Sequence, residues 1–164
     1  MKIRNLLLVF FCIGTVLPSF AQTSDAEAEA IINLLGVQKK EAIAKLVSAT
    51  GKDSIAFWKL YDEYNQKNLA MGKQRLKLYE KTAEAYLNMT PATADSLAKQ
   101  YFDNRFGQEK SLEEYYKKIK AATNAVVAFE FYQAEVYLLT QIRASIMQQI
   151  PTYGQFAAIL KKNR

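Results

Sequence analysis

The stretch DSIAFWKLYDEYNQKNLAMGKQRLKLYEKTAEAYLNMTP, residues 53–91, decides the fold. Its apolar positions Ile55, Trp58, Tyr61, Tyr64, Leu69, Gly72, Leu76, Tyr79, Ala83 and Tyr86 are spaced mostly by three and four residues. That period puts them on one face of an α-helix. The spacing predicts a single amphipathic helix that opens at Lys52 or Asp53 and reaches about Asn88. At ~1.5 Å per residue such a helix is roughly 50 Å long.

The signals on either side repeat the same theme. Thr90-Pro91 predicts the start of a third helix, because a threonine oxygen caps free amides and proline suits the first helical position. That helix should run to about Ala122 on the apolar face Leu97, Tyr101, Leu112, Tyr115 or Tyr116, and Ile119. Between Asp103 and Ser111 only Phe106 is apolar and Gly107 intervenes, so a bend or thin packing is expected there. Upstream, Ser24 and Glu27 make a capping box for a first helix that ends near Ala49, before Thr50-Gly51, with Gly36 as a point of kinking.

Thr123-Asn124 opens a fourth helix that reaches Ile150, before Pro151. Val126, Val127, Phe129, Phe131, Tyr132, Val136, Tyr137, Leu138, Leu139, Ile142 and Ile146 lie nearly all round it, which predicts a central, most buried helix. The expected fold is all-α: four helices, two of them long, packed as an elongated bundle or as bent helical hairpins. A weak internal pattern runs through it. Thr50, Thr90 and Asn124 each precede a helix, and each is followed seven residues later by a large apolar side chain, Phe57, Leu97 or Phe131.

Residues 1–21 read as a secretory signal: Lys2 and Arg4, then the apolar run Leu6 to Ile13, then Ser19 and Ala21 at the small-residue positions of a cleavage site before Gln22. The run is too short for a spanning helix of roughly 20 residues. Residues 22–164 are expected to form one helical domain, periplasmic or secreted. The chain carries 22 Lys+Arg against 16 Asp+Glu, and losing Lys2 and Arg4 leaves it only mildly basic, which predicts no nucleic-acid partner.

Composition excludes much chemistry. Histidine is absent and the single cysteine, Cys12, lies inside the signal, so serine–histidine, cysteine–histidine and histidine-ligated metal sites are ruled out. No catalytic residue, cofactor or metal is expected. Glu113 and Glu114, four residues before Lys117 and Lys118, read as helix-stabilising surface pairs, as do Glu41 with Lys45 and Glu63 with Lys67.

Glu130 and Glu135 stand in an apolar helix, where an unpaired charge is costly. Buried ion pairs with Arg75, Arg105 or Arg143 are the expected solution. Tyrosine is heavier than a core requires, and its apolar ring with a polar tip suits a half-wet surface. Tyr64, Arg75, Tyr79, Tyr86, Tyr101, Arg105, Tyr115 and Tyr116 are the candidate protein-binding residues, with Lys73, Lys77 and Lys81 at the edge. The short clusters Lys117, Lys118, Lys120 and Lys161, Lys162, Arg164 predict at most peripheral membrane contact.

The segment Leu87-Asn88-Met89-Thr90-Pro91-Ala92-Thr93 resembles the Leu-Thr-x-x-Gln motif of the Spy/CpxP family, with Met89 at the leucine, Thr90 at the threonine and Thr93 at the glutamine position. A second copy begins at Thr123-Asn124, with Val127 at the glutamine position and Phe131-Tyr132 where that family often has an aromatic. The resemblance spans roughly residues 50–150. It implies a small periplasmic all-helical protein, an ATP-independent chaperone or envelope-stress regulator that holds unfolded proteins. The alternative expectation is a structural or adaptor subunit with a dedicated partner or a homodimer role.

Overall fold

Caps set the corners of the molecule. The computed structural model describes residues 25–147, with side chains from residue 36 onward. The expected export signal, Ser24, Pro151 and the basic C-terminal residues lie outside the described residues. The elements are α1 (Asp25–Leu46), α2 (Gly51–Ala85), a 3-10 turn (Tyr86–Asn88), α3 (Pro91–Ala122) and α4 (Ala125–Met147).

Gly51 turns the chain between α1 and α2 at φ +54°, a conformation that suits a residue without a Cβ. The Thr90 hydroxyl accepts from the Thr93 amide at 3.2 Å, with Pro91 at the first helical position. Asn124 does more, because its Oδ1 accepts from the amides of Val126 and Val127 while its Nδ2 donates to Asp53 Oδ2 at 2.9 Å. One side chain thereby caps α4 and ties it to the start of α2. Phe57, Leu97 and Phe131, each two turns in from its cap, are all buried.

α2 and α3 form a long antiparallel hairpin. Its seam follows alternating steps of four and three residues, through Phe57, Tyr61, Tyr64, Asn68, Met71, Arg75, Leu78 and Thr82 on α2 and through Leu97, Tyr101, Asn104, Gln108, Ser111 and Tyr115 on α3. The Tyr64 and Tyr115 rings meet at 5.4 Å, Asn68 Nδ2 donates to Ser111 Oγ at 2.9 Å, and the Thr82 and Tyr101 hydroxyls meet at 2.9 Å.

At residues 103–111, where a bend or thin packing is expected, the helix is uninterrupted. α3 is continuous there because its inward positions are polar rather than missing: Asn104, Gln108 and Ser111 are buried. Gly107 keeps the helices close, since a Cβ there would sit 3.1 Å from Met71 Sδ. α1 likewise runs through Gly36 unbroken and ends at Leu46, three residues short of the expected Ala49.

α1 and α4 complete the bundle at the aromatic end of the hairpin. Phe57, Tyr61, Tyr64, Tyr115 and Phe131 pack there with Ile43, Leu112, Ile119 and Leu138. The edge-on contact of Tyr64 with Phe131 is 5.3 Å between centroids. α4 is not the central helix its composition predicts. It packs on α3 and α1 along one face, Val127, Ala128, Phe131, Ala134, Glu135 and Leu138, and turns its other face to water. Among the described residues no element covers its other side, so its apolar circumference is only half used by the core.

Candidate functional site

Three features stand out: a charge buried under the aromatic core, a cavity lined by two arginines halfway along the hairpin, and the outer face of α4. The first is Glu135, which is fully buried. Its Oε2 accepts from Lys39 Nζ at 3.1 Å and from the Tyr64 hydroxyl at 2.9 Å, and its Oε1 accepts from the Tyr61 hydroxyl at 3.3 Å. Lys39 also lies over the Tyr64 ring, 5.2 Å from its centroid. Burial, and then the Glu135 charge beside them, push the Tyr61 and Tyr64 hydroxyls well above the ordinary tyrosine range. Both therefore remain donors. With no exposed atom, Glu135 is out of reach of a substrate, and its partners use its acceptors to hold α1, α2 and α4 together.

Glu135 does sit in a buried ion pair, but its cation is Lys39 and not one of the expected arginines, Arg75, Arg105 or Arg143. Arg105 is exposed, on the side of α3 away from the core, and pairs with neither Glu130 nor Glu135. Glu130 is satisfied without an ion pair: its Oε2 accepts from the Ser48 amide at 2.7 Å, and the Ser48 hydroxyl donates to the same carboxylate at 2.8 Å. It thereby anchors the residues that follow α1. Arg75 and Arg143 bind neutral amides instead.

Those two arginines define the second feature. Arg75 Nε and Nη2 donate to Asn104 Oδ1 at 2.9 and 2.7 Å, and Nη2 also donates to Gln108 Oε1. Arg143 Nη2 donates to the same Gln108 oxygen at 3.1 Å, while its buried Nε has no partner. Burial, and then the charge of Arg143, pull the Arg75 guanidinium below its ordinary range. Both line a cavity of about 660 Å³ between the helices. Its remaining wall includes Leu69, Leu76, Leu139, Ile142 and Ile146.

The third feature corrects the tyrosine surface. Tyr64, Tyr79 and Tyr115 are buried, Tyr86, Tyr101 and Tyr116 are half-buried, and Arg75 lines the cavity, so these residues do not form one open patch. The seam spacing takes the tyrosines inward. The exposed aromatic face lies elsewhere, on α4: Val126 is 64% exposed, Phe129 54% and Tyr137 43%, with Tyr132 and Val136 beside them. Tyr116 joins this face through a ring contact with Tyr132 at 6.5 Å. Phe102 and Phe106 make a second exposed pair on α3, stacked at 6.4 Å.

The surface carboxylates behave as their spacing predicts in part. Glu113 bonds Lys117 and Glu114 bonds Lys118, while Lys67 reaches across from α2 to Glu114 at 2.6 Å. The hydrogen bonds from Lys118 and Lys67 pull exposed Glu114 down to about 2. Among the described residues no three of His, Cys, Asp and Glu gather as metal ligands, and no helix is long and apolar enough to cross a membrane.

No protein-family model, curated protein or solved structure matches this chain. The class defined by fold and site is an all-α helical bundle with a polar interior band and an uncovered apolar face.

Lys39 and the α4 face were the residues that sequence reasoning missed. Lys39 did carry a signal: it stands three and four residues before Ala42 and Ile43, on the apolar stripe of α1.

Proposed function

We propose that this protein is an exported, ATP-independent binding protein that holds non-native polypeptides on the outer face of α4, acting as a chaperone or envelope-stress accessory. The observation that carries the reading is the row Val126, Phe129, Tyr132, Val136 and Tyr137, left in water on a helix whose opposite face already fills the core. Burying apolar area is worth ~25 cal/mol per Å², so a partner that covers such a face gains from it. Two of the five side chains are valines, one is a phenylalanine and two are tyrosines, which combine apolar contact with hydrogen bonding. Lys120, exposed on neighbouring α3, favours acidic chains.

The signal-like pattern at residues 1–21 supports a site of action in the periplasm or outside the cell. The likeness of Met89-Thr90-Pro91-Ala92-Thr93 to the Spy/CpxP motif supports the same assignment. The role calls for no cofactor and no catalytic step.

The test is suppression of aggregation: the protein is added without ATP to reduced α-lactalbumin while light scattering is followed. Suppression near equimolar ratio, lost in the Phe129→Ser/Tyr132→Ser double variant, is the expected result. No suppression, together with a constant dimer in sedimentation that the same double variant dissociates, would instead assign the face to a dedicated subunit contact.

A further inference from the structure

The middle of the bundle holds two cations and no anion to match them. Arg75 and Arg143 converge on one neutral oxygen, Gln108 Oε1, and Asn104 supplies the other acceptor of Arg75. No carboxylate among the described residues bonds either guanidinium. Glu135, the fully buried carboxylate of the core, is committed to Lys39, Tyr61 and Tyr64, and Asp62 on the cavity wall is paired with Lys40.

Burying like charges side by side is unfavourable, and proteins ordinarily place a carboxylate between two such arginines. Here the amide of Gln108 stands in that position. Arg143 Nε, buried and aimed at no acceptor, leaves further donor capacity unused. A guanidinium fork matches carboxylate or phosphate geometry, and hydrogen bonds to an ionised acceptor are roughly twice as strong as those to a neutral one.

Beyond the arginines the lining is mixed: Lys39, Lys40, Asp62 and Asn68 also stand on it, the two lysines held by Glu135 and Asp62. Leu69, Leu76, Leu139, Ile142 and Ile146 give the cavity an apolar wall, and its volume of about 660 Å³ lies within the ordinary range for small-molecule sites. A small inorganic anion would satisfy the arginines and leave that wall wet, whereas an apolar molecule would leave the charges unmatched. We infer that the cavity is a binding site for a small anionic amphiphile: a single carboxylate-like head placed between Arg75 and Arg143, and an apolar body against the leucine and isoleucine wall. The site is separate from the outer face of α4 and does not depend on its role.

The experiment uses protein purified after expression of the 164-residue chain. Decanoate, decanol and inorganic phosphate are titrated separately, by calorimetry and by thermal denaturation, with decanoate kept below its micelle concentration. Decanoate is expected to bind and raise the melting temperature, with decanol at least about tenfold weaker and phosphate without effect. Gln108→Glu places a carboxylate inside the protein where the ligand's would sit. It should raise the melting temperature of the unliganded protein and cut decanoate affinity at least about tenfold. Arg143→Met supplies an independent check and should also lower decanoate affinity without improving that of decanol. Equal binding of decanoate and decanol, binding of phosphate as tight as that of decanoate, no binding of decanoate, or decanoate affinity indifferent to both substitutions would each overturn the assignment.

Discussion

The two faces of α4 use nearly the same residue types for opposite purposes. The inner face holds Val127, Phe131 and Leu138 together with the one side chain that composition would place outside, Glu135. The outer face holds Val126, Phe129, Tyr132, Val136 and Tyr137, which composition would place inside. Hydrophobicity alone therefore does not say which side of this helix is the core. What decides is the partner that each position meets. Glu135 is tolerated because Lys39, Tyr61 and Tyr64 arrive from two other helices to occupy its oxygens. Phe129 remains exposed because none of the described elements passes over it.

The largest expected effects come from breaking the inner face. Glu135→Leu leaves the Lys39 ammonium and two tyrosine hydroxyls buried without their acceptor, and should cost about 3–5 kcal/mol in urea denaturation. A loss below about 1 kcal/mol would mean that Lys39 escapes to water and the box is not structural. Phe131→Ala should cost a similar ~3–5 kcal/mol, because the ring touches Phe57, Tyr61 and Tyr64.

Raising the pH loads the same box by another route. Tyr61 and Tyr64 keep their protons in the folded state at a pH where unfolded tyrosines, near a pKa of about 10, lose theirs. The folded state then binds more protons than the unfolded one, so this contribution is full below about pH 10 and is lost as pH rises above it. Tyr64→Phe should make the decline of stability on the alkaline side shallower, as measured by the denaturation midpoint against pH. An unchanged slope would detach the tyrosines from the effect.

Glu130 sharpens the comparison at the border between the two faces. Glu130→Ala removes the acceptor of the Ser48 amide and hydroxyl, and should cost about 1–2 kcal/mol. On the outer face, Phe129→Ser should change stability by no more than about 0.5 kcal/mol while reducing the capacity to hold non-native chains. A large loss of stability there would show that the residue belongs to the core after all.

Much of the architecture was legible in the residues. The cap at Thr90-Pro91, the Asn124 cap and the three-and-four spacing between Ile55 and Tyr86 carry helix identity, because those signals are local, but the buried face is not the expected one at every position: Ile55 is exposed, while Phe57 and Leu78 are buried. The candidate site was less legible, for a physical reason. Partner choice is set by which helices lie side by side, and nothing local to Glu135 reports that Lys39, 96 residues away, will reach it. Arg105 shares a helix with the buried Asn104 yet points outward, since one step along a helix turns the side chain by about 100°. The same rotation explains residues 103–111: the inward stripe continues through them, but in amides and a hydroxyl, which a search for apolar periodicity passes over.

The most direct test of the account is where a non-native chain touches the protein. A photo-crosslinking benzoylphenylalanine is placed in turn at Phe129, on the outer face of α4, and at Lys99, exposed near the start of α3, and each protein is irradiated with reduced α-lactalbumin. The account predicts strong crosslinks to the unfolded client from position 129 and few from position 99. Equal yields from both positions, or crosslinks from position 129 only to a second copy of the protein, would contradict it.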